Sequence, residues 1–150
     1  DASFADGDEA PLRLRALDAD DLAVISGLVQ DAVFPGTEMT WDRKARRFAV
    51  LLNRFRWEHR GRDAERVQSV LAIEDVSAVQ SQGINPKDAD TVLSLLSVTF
   101  EPGEDGAGRV ILTLAGDGAI GVTVEALEVV LKDVTRPYVA PSGRTPSHPD

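Results

Sequence analysis

The sequence predicts an α+β fold, an antiparallel, curled or barrel-like meander of about six or seven strands with one N-terminal helix at 19–31. Three observations lead there. Sustained helical spacing is confined to one stretch near the N-terminus. Most of the chain beyond that stretch alternates apolar and polar residues with the period of a half-buried strand. The connections are too short for the dozen or more residues that a parallel crossover needs.

Taken in order, Leu12-Arg13-Leu14-Arg15-Ala16-Leu17 alternates apolar with charged, as a strand does. Asp18 then stands at an N-cap position, with Asp21 as the capping-box acid. Leu22, Ile25, Leu28, Val29 and Ala32 follow at helical spacing, and Phe34-Pro35-Gly36 is the expected stop. In 46–57, Phe48, Leu51, Leu52 and Phe55 would share a helical face. The strict alternation of Arg54-Phe55-Arg56-Trp57-Glu58 and its aromatic content favour a strand. His59 to Asp63 reads as a polar turn.

Val67, Ser69, Leu71 and Ile73 alternate next. Glu74-Asp75 interrupts before Val76 to Val79, which allows one bulged strand or two short ones. A loop over 83–90 precedes a strand at 92–100 marked by Leu96, Val98 and Phe100. After a glycine-rich loop at 101–108, Val110, Leu112 and Leu114 face one way. Asp117-Gly118 reads as a two-residue hairpin turn, and Ile120, Val122 and Val124 as the return strand. Alternation slips after Glu125 and resumes at Leu127, Val129 and Leu131. This reads as a bulge, although Val124, Leu127 and Leu131 would also suit a helix. The expected organisation is a flexible N-terminus at 1–11, a single domain at 12–134 and a proline-rich loose tail at 135–150.

Composition narrows the function. With 150 residues, 43% apolar and 27% charged, the chain is neither wholly disordered nor collagen-like. No run approaches the ~20 apolar residues of a membrane span. No cysteine and two histidines argue against thiolate metal sites, cysteine nucleophiles and a histidine relay, so no cofactor is expected. The acidic opening segment lacks a secretory pattern, and the expected compartment is the cytoplasm.

No catalytic motif stands out. Gly116-Asp117-Gly118-Ala119-Ile120-Gly121 spells the dinucleotide fingerprint, but strand alternation follows it where the fingerprint needs a helix. Asp18, Asp20 and Asp21 are explained by helix capping, and Asp88 and Asp90 by a solvated loop. Neither group has the ligand spacing of a calcium hand. The reading leans away from an enzyme.

Charge is where the chain departs from the ordinary. The net charge is −9, yet residues 43–66 hold nine of its sixteen Lys and Arg against three acids. Trp41, Phe48, Phe55 and Trp57, four of its eight aromatics, lie in or beside that segment. As a strand, 54–58 would set Arg54 and Arg56 on one face, and Arg46 and Arg47 precede them. These four arginines are the candidate site for an anion or partner. The plainer alternative pairs them with neighbouring acids such as Glu74, Glu101 or Glu125, since cross-strand charge pairs are routine.

Several stretches carry a resemblance: Asp21 to Ser26, Gln30 to Val33, Arg47-Phe48-Ala49, Asn53 to Glu58, and Val124-Glu125 through Lys132-Asp133. In these the chain resembles an uncharacterised, alphaproteobacterial-type family of single-domain proteins catalogued as a domain of unknown function. The resemblance implies a small cytoplasmic bacterial protein and transfers no activity or site. The expected function is a non-enzymatic binding module whose Arg-rich strand surface at 43–62 meets an acidic protein or a phosphate-bearing ligand. Overall acidity argues against nucleic acid. A small-molecule or enzymatic pocket in the curled sheet is one alternative, and a homo-oligomer subunit pairing through a sheet edge is another.

Overall fold

The computed structural model describes residues 10–59, 64–85 and 90–139. Most of the expected N-terminus at 1–11, of the turn at 59–63 and of the tail at 135–150, together with Asp88, lies outside them. Among the described residues there are eleven strands, one α-helix and a short 3-10 turn at Gly36–Glu38: β1 Arg13–Ala16, α1 Ala19–Leu28, β2 Val33–Pro35, β3 Met39–Asp42, β4 Arg47–Phe55, β5 Glu65–Ile73, β6 Val76–Gln82, β7 Val92–Pro102, β8 Gly108–Leu114, β9 Ala119–Val124, β10 Val129–Asp133 and β11 Tyr138–Val139. All strand pairs are antiparallel. Their order is β1-β10-β5-β4-β2-β7-β8-β9-β6, with β3 beside β4 and β11 beside β5.

The sheet is therefore open, and it is not a simple meander. Strand β10 returns between β1 and β5, and β2 bridges β4 to β7. The sheet still curls, because β6 at the end of the order meets the chain beside β4 in its middle, the Val76 N–H donating to Arg46 O at 2.9 Å. Period-2 alternation produces the interior: Phe48, Val50 and Leu52 are buried on β4, Val110, Leu112 and Leu114 on β8. On β7 the register shifts between Leu95 and Ser97, so Leu95 and Val98 both turn inward. Leu96, one of the three residues that mark this strand in the sequence, is left half-buried.

Of the two alternatives at Glu74-Asp75, two separate strands are present, and the bulge expected after Glu125 is a corner instead. At Glu74-Asp75, with Asp75 at φ 56°, the chain leaves β5 and joins the far half of the sheet as β6. At 125–128 it makes the reverse crossing, from β9 to β10. The corners are tied together: Glu74 N–H donates to Glu128 O at 3.0 Å, and Glu125 N–H to Asp75 O at 3.0 Å.

Asp18 caps α1, its carboxylate accepting the Asp21 N–H at 2.8 Å, and Leu22 and Ile25 are the buried residues of the helix. The helix ends before the expected position 31. Asp31 turns at φ 65° and donates its N–H to Leu95 O, so β7 draws the chain into β2, which contains the Phe34-Pro35 expected to be only a stop. The β8–β9 hairpin is present, with its left-handed positions at Gly116 and Asp117, one residue earlier than expected. Gly121 sits inside β9, which excludes the dinucleotide reading of that motif. No helix among the described residues is long and apolar enough to cross a membrane.

Candidate functional site

Strand β4 carries candidate arginines at both of its ends, roughly 23 Å apart at about 3.3 Å per residue. Arg46 and Arg47 lie at its entrance, Arg54 and Arg56 at its exit. One continuous surface of four cations is therefore not formed, and the two ends have different surroundings.

At the exit, Arg54 continues the inward series Phe48, Val50, Leu52 and is fully buried. Ser69 of β5 stands opposite Leu52, and Asp133 of β10 stands opposite Ser69. Three adjacent strands thus bring a cation, a hydroxyl and a carboxylate onto the inner face. Arg54 Nε donates to Asp133 Oδ1 and Ser69 Oγ, each at 3.1 Å, and Nη2 to Asp133 Oδ2 at 3.0 Å. Glu58, just past β4, accepts from Nη1 and Nη2 at 2.9 Å each, and Phe55 O accepts from Nη1 at 3.4 Å. A guanidinium has five N–H donors, and these contacts engage all of its nitrogens. Ser69 Oγ donates to Asp133 Oδ1 at 2.6 Å, and Leu12 N–H to Asp133 Oδ2 at 3.0 Å.

Arg56 is buried beside this cluster, with Nη1 on Glu65 and Nε 3.6 Å from Glu58 Oε2. His59 Nε2 lies 3.6 Å from Glu65 Oε2. Phe55 and Trp57 meet edge to face at 4.7 Å, and Trp57 Nε1 donates to Gln30 O. Strand β4 ends at Phe55 and Trp57-Glu58 turn, so the strand expected over 54–58 is not formed. Arg54 and Arg56 both lie near Glu58, in the interior, with carboxylates already in place. An external anion could reach Arg54 only by displacing Asp133 or Glu58. These two arginines form a structural cluster, which corrects their reading as an exposed cationic face.

Burial pushes the Asp133 carboxyl up. The hydrogen bonds from Arg54, Ser69 and the Leu12 backbone outweigh it and hold the group below its usual range. Glu58 follows the same pattern: burial raises it, while Arg54, a backbone hydrogen bond and the charge of Arg56 lower it further. Burial likewise opposes the charge on Arg54, but Glu58 and Asp133 raise its pKa overall. Because both carboxyls titrate lower in the folded than in the unfolded chain, their stabilisation is complete above an unfolded value of about 4. It is lost as pH falls through the depressed folded values. Urea midpoints should therefore drop more steeply below about pH 4 in the wild type than in Asp133→Asn, narrowing the gap between them. Parallel curves would contradict this assignment.

The entrance of β4 is different. Asp42 Oδ1 accepts the Ala45 N–H at 3.0 Å to shape the β3–β4 turn, and Arg46 occupies a left-handed position at φ 58°. Arg46 O accepts the Val76 N–H at 2.9 Å, which fixes the turn against β6. Between them lies a groove of about 530 Å³, lined by Trp41, Arg43, Arg46 and the run Val76 to Val79. Arg47 pairs with Glu74 at 2.7 Å, and that hydrogen bond and charge raise its pKa. Arg46 pairs with Glu125 at 2.8 Å, both side chains being well exposed. Arg43 is exposed and has no ion pair among the described residues.

Glu74 and Glu125 are thus taken by Arg47 and Arg46, while Glu101 pairs with Arg109. Sequence reading did not foresee Asp133 and Glu58 as the acceptors of Arg54, and it placed Trp41 and Arg43 in the Arg-rich segment without naming either among the four candidate residues. For Asp133 a signal was present, since it continues the inward series Val129, Leu131. No curated protein and no solved structure matches the chain. Residues 12–148 match the family described as Protein of unknown function (DUF2948), and the chain belongs to that family.

Proposed function

We propose that this protein is a non-enzymatic binding module that receives an anionic partner in the groove between the β3–β4 turn and β6. The observation carrying this reading is the pair of exposed guanidiniums, Arg43 and Arg46, on a groove of about 530 Å³ that also has Trp41 in its wall. Arg43 is uncommitted among the described residues. The Arg46–Glu125 pair is a surface pair of a kind worth about 0–1 kcal/mol, so an incoming carboxylate or phosphate can take the place of Glu125 at small cost. Of the Arg-rich segment, this reading keeps the first turn as the binding part and gives the buried end to stability.

The test is titration of wild type and Arg43→Glu/Arg46→Glu with inorganic phosphate and with a glutamate-rich peptide, followed by backbone amide shifts around the groove. The wild type should respond to at least one probe, with affinity falling as salt rises. The charge reversal should weaken binding by about tenfold or more, equivalent to roughly 1.4 kcal/mol. Equal responses from both proteins, or none from the wild type, would overturn the reading.

A further inference from the structure

The β6 side of the groove identifies what kind of anion fits it. Val76, Ser77, Ala78 and Val79 all line the groove, although successive strand side chains point to opposite faces. Four consecutive residues can share one groove when it runs along the edge of the strand and meets its backbone. Strand β6 is such an edge: among the described residues it ends the sheet and has β9 as its one strand partner, with only its Val76 N–H taken, by Arg46 O. Edge strands are commonly blunted by charge, proline or a bulge, because their unpaired N–H and C=O groups template another strand. Val76-Ser77-Ala78-Val79-Gln80-Ser81-Gln82 contains no charge and no proline, in a chain that is 27% charged. Its register shift lies at the start, between Val76 and Ala78, and pairing from Val79 to Gln82 is regular.

Resting on the anion-binding reading above, we propose that the groove takes an extended acidic segment of a partner protein as an added strand on β6. Its backbone pairs with the edge beyond Val76, and its carboxylates reach Arg43 and Arg46. Main-chain pairing supplies affinity in this mode, and side-chain contacts supply selectivity. Charge complementarity favours an acidic segment over a second copy of β6, which would bring no carboxylate of its own to the arginines.

The probe is a synthetic peptide of about eight residues alternating Glu and Val, the length of an ordinary strand. It is compared with a Lys/Val counterpart and with two versions N-methylated along one edge or the other. The acidic peptide should bind, slow amide exchange in β6 and shift the Arg43 and Arg46 side-chain signals. N-methylation of the pairing edge should weaken it by about tenfold or more, as should Arg43→Glu/Arg46→Glu, while the Lys/Val peptide stays inactive. If both methylated peptides bind as well as the parent, strand addition is overturned while anion binding stands. If neither the acidic peptide nor phosphate perturbs Arg43 or Arg46, both readings are overturned. Light scattering that shows a stable dimer with β6 amides already protected would overturn the acidic segment in favour of a second copy.

Discussion

Arg54→Ala is expected to cost about 3–5 kcal/mol, a large share of the roughly 5–15 kcal/mol that holds a domain folded. The reason is what remains behind. Asp133 is buried and would lose two of its donors, and Glu58 would lose both of its contacts with the Arg54 guanidinium. An uncompensated buried carboxylate is far more costly than the intact pair is stabilising. Arg54→Lys should recover only part of the loss, since one ammonium cannot span Asp133 and Glu58 with the planar fork of a guanidinium. The contrast is Arg43→Ala, which should change stability by no more than about 0.5 kcal/mol, as exposed sites do. Urea denaturation measures all three. A cost for Arg54→Ala as small as that for Arg43→Ala would contradict the buried cluster.

Phe34→Ala is expected to cost about 3–5 kcal/mol as well, by a different route. Phe34 is 1% exposed, on a strand of three residues that is the seam between the two halves of the sheet. Val33 pairs with Asn53 of β4 on one side and Ser94 of β7 on the other. So short a strand contributes few ladder hydrogen bonds, and the ring anchored in the core holds the seam. Removing it leaves a cavity that flanking strands can fill only by sliding. Faster amide exchange in β2 than in β8 should accompany the loss. A change within about 0.5 kcal/mol would show that the seam is held by its backbone alone.

Much of this architecture was legible wherever a segment is long enough to show its period. The alternation over 46–57, 67–73 and 110–124 and the Asp18 cap translate directly into β4, β5, β8, β9 and the start of α1. Strands β2 and β11 were invisible because two or three residues carry no period, and β3, which does alternate over Met39-Thr40-Trp41-Asp42, was overlooked. The interruption at Glu74-Asp75 was left open between one bulged strand and two strands, and the one at 125–128 was read as a bulge. A bulge and a corner both break alternation and let it resume, and only the partner strand distinguishes them.

The site was half legible for a related reason. Alternation correctly set Arg54 in register with Phe48, Val50 and Leu52, but an arginine is ordinarily read as a surface residue. What makes burial tolerable is Asp133, 79 residues away in the chain and brought close by β10 entering beside β5. No local pattern encodes that neighbour. The groove at the other end of β4 depends on β6 crossing to the far half of the sheet, which is equally non-local.

The division of labour along β4 is tested most directly by the Nε–H signals of the arginine side chains, recorded before and after the acidic peptide is added. Arg54 Nε–H should exchange slowly with solvent and stay unmoved, held by Asp133 and Ser69, while Arg43 exchanges fast and shifts together with Arg46. A rapidly exchanging Arg54 signal that moves with the peptide, beside unmoved signals from Arg43 and Arg46, would contradict the account.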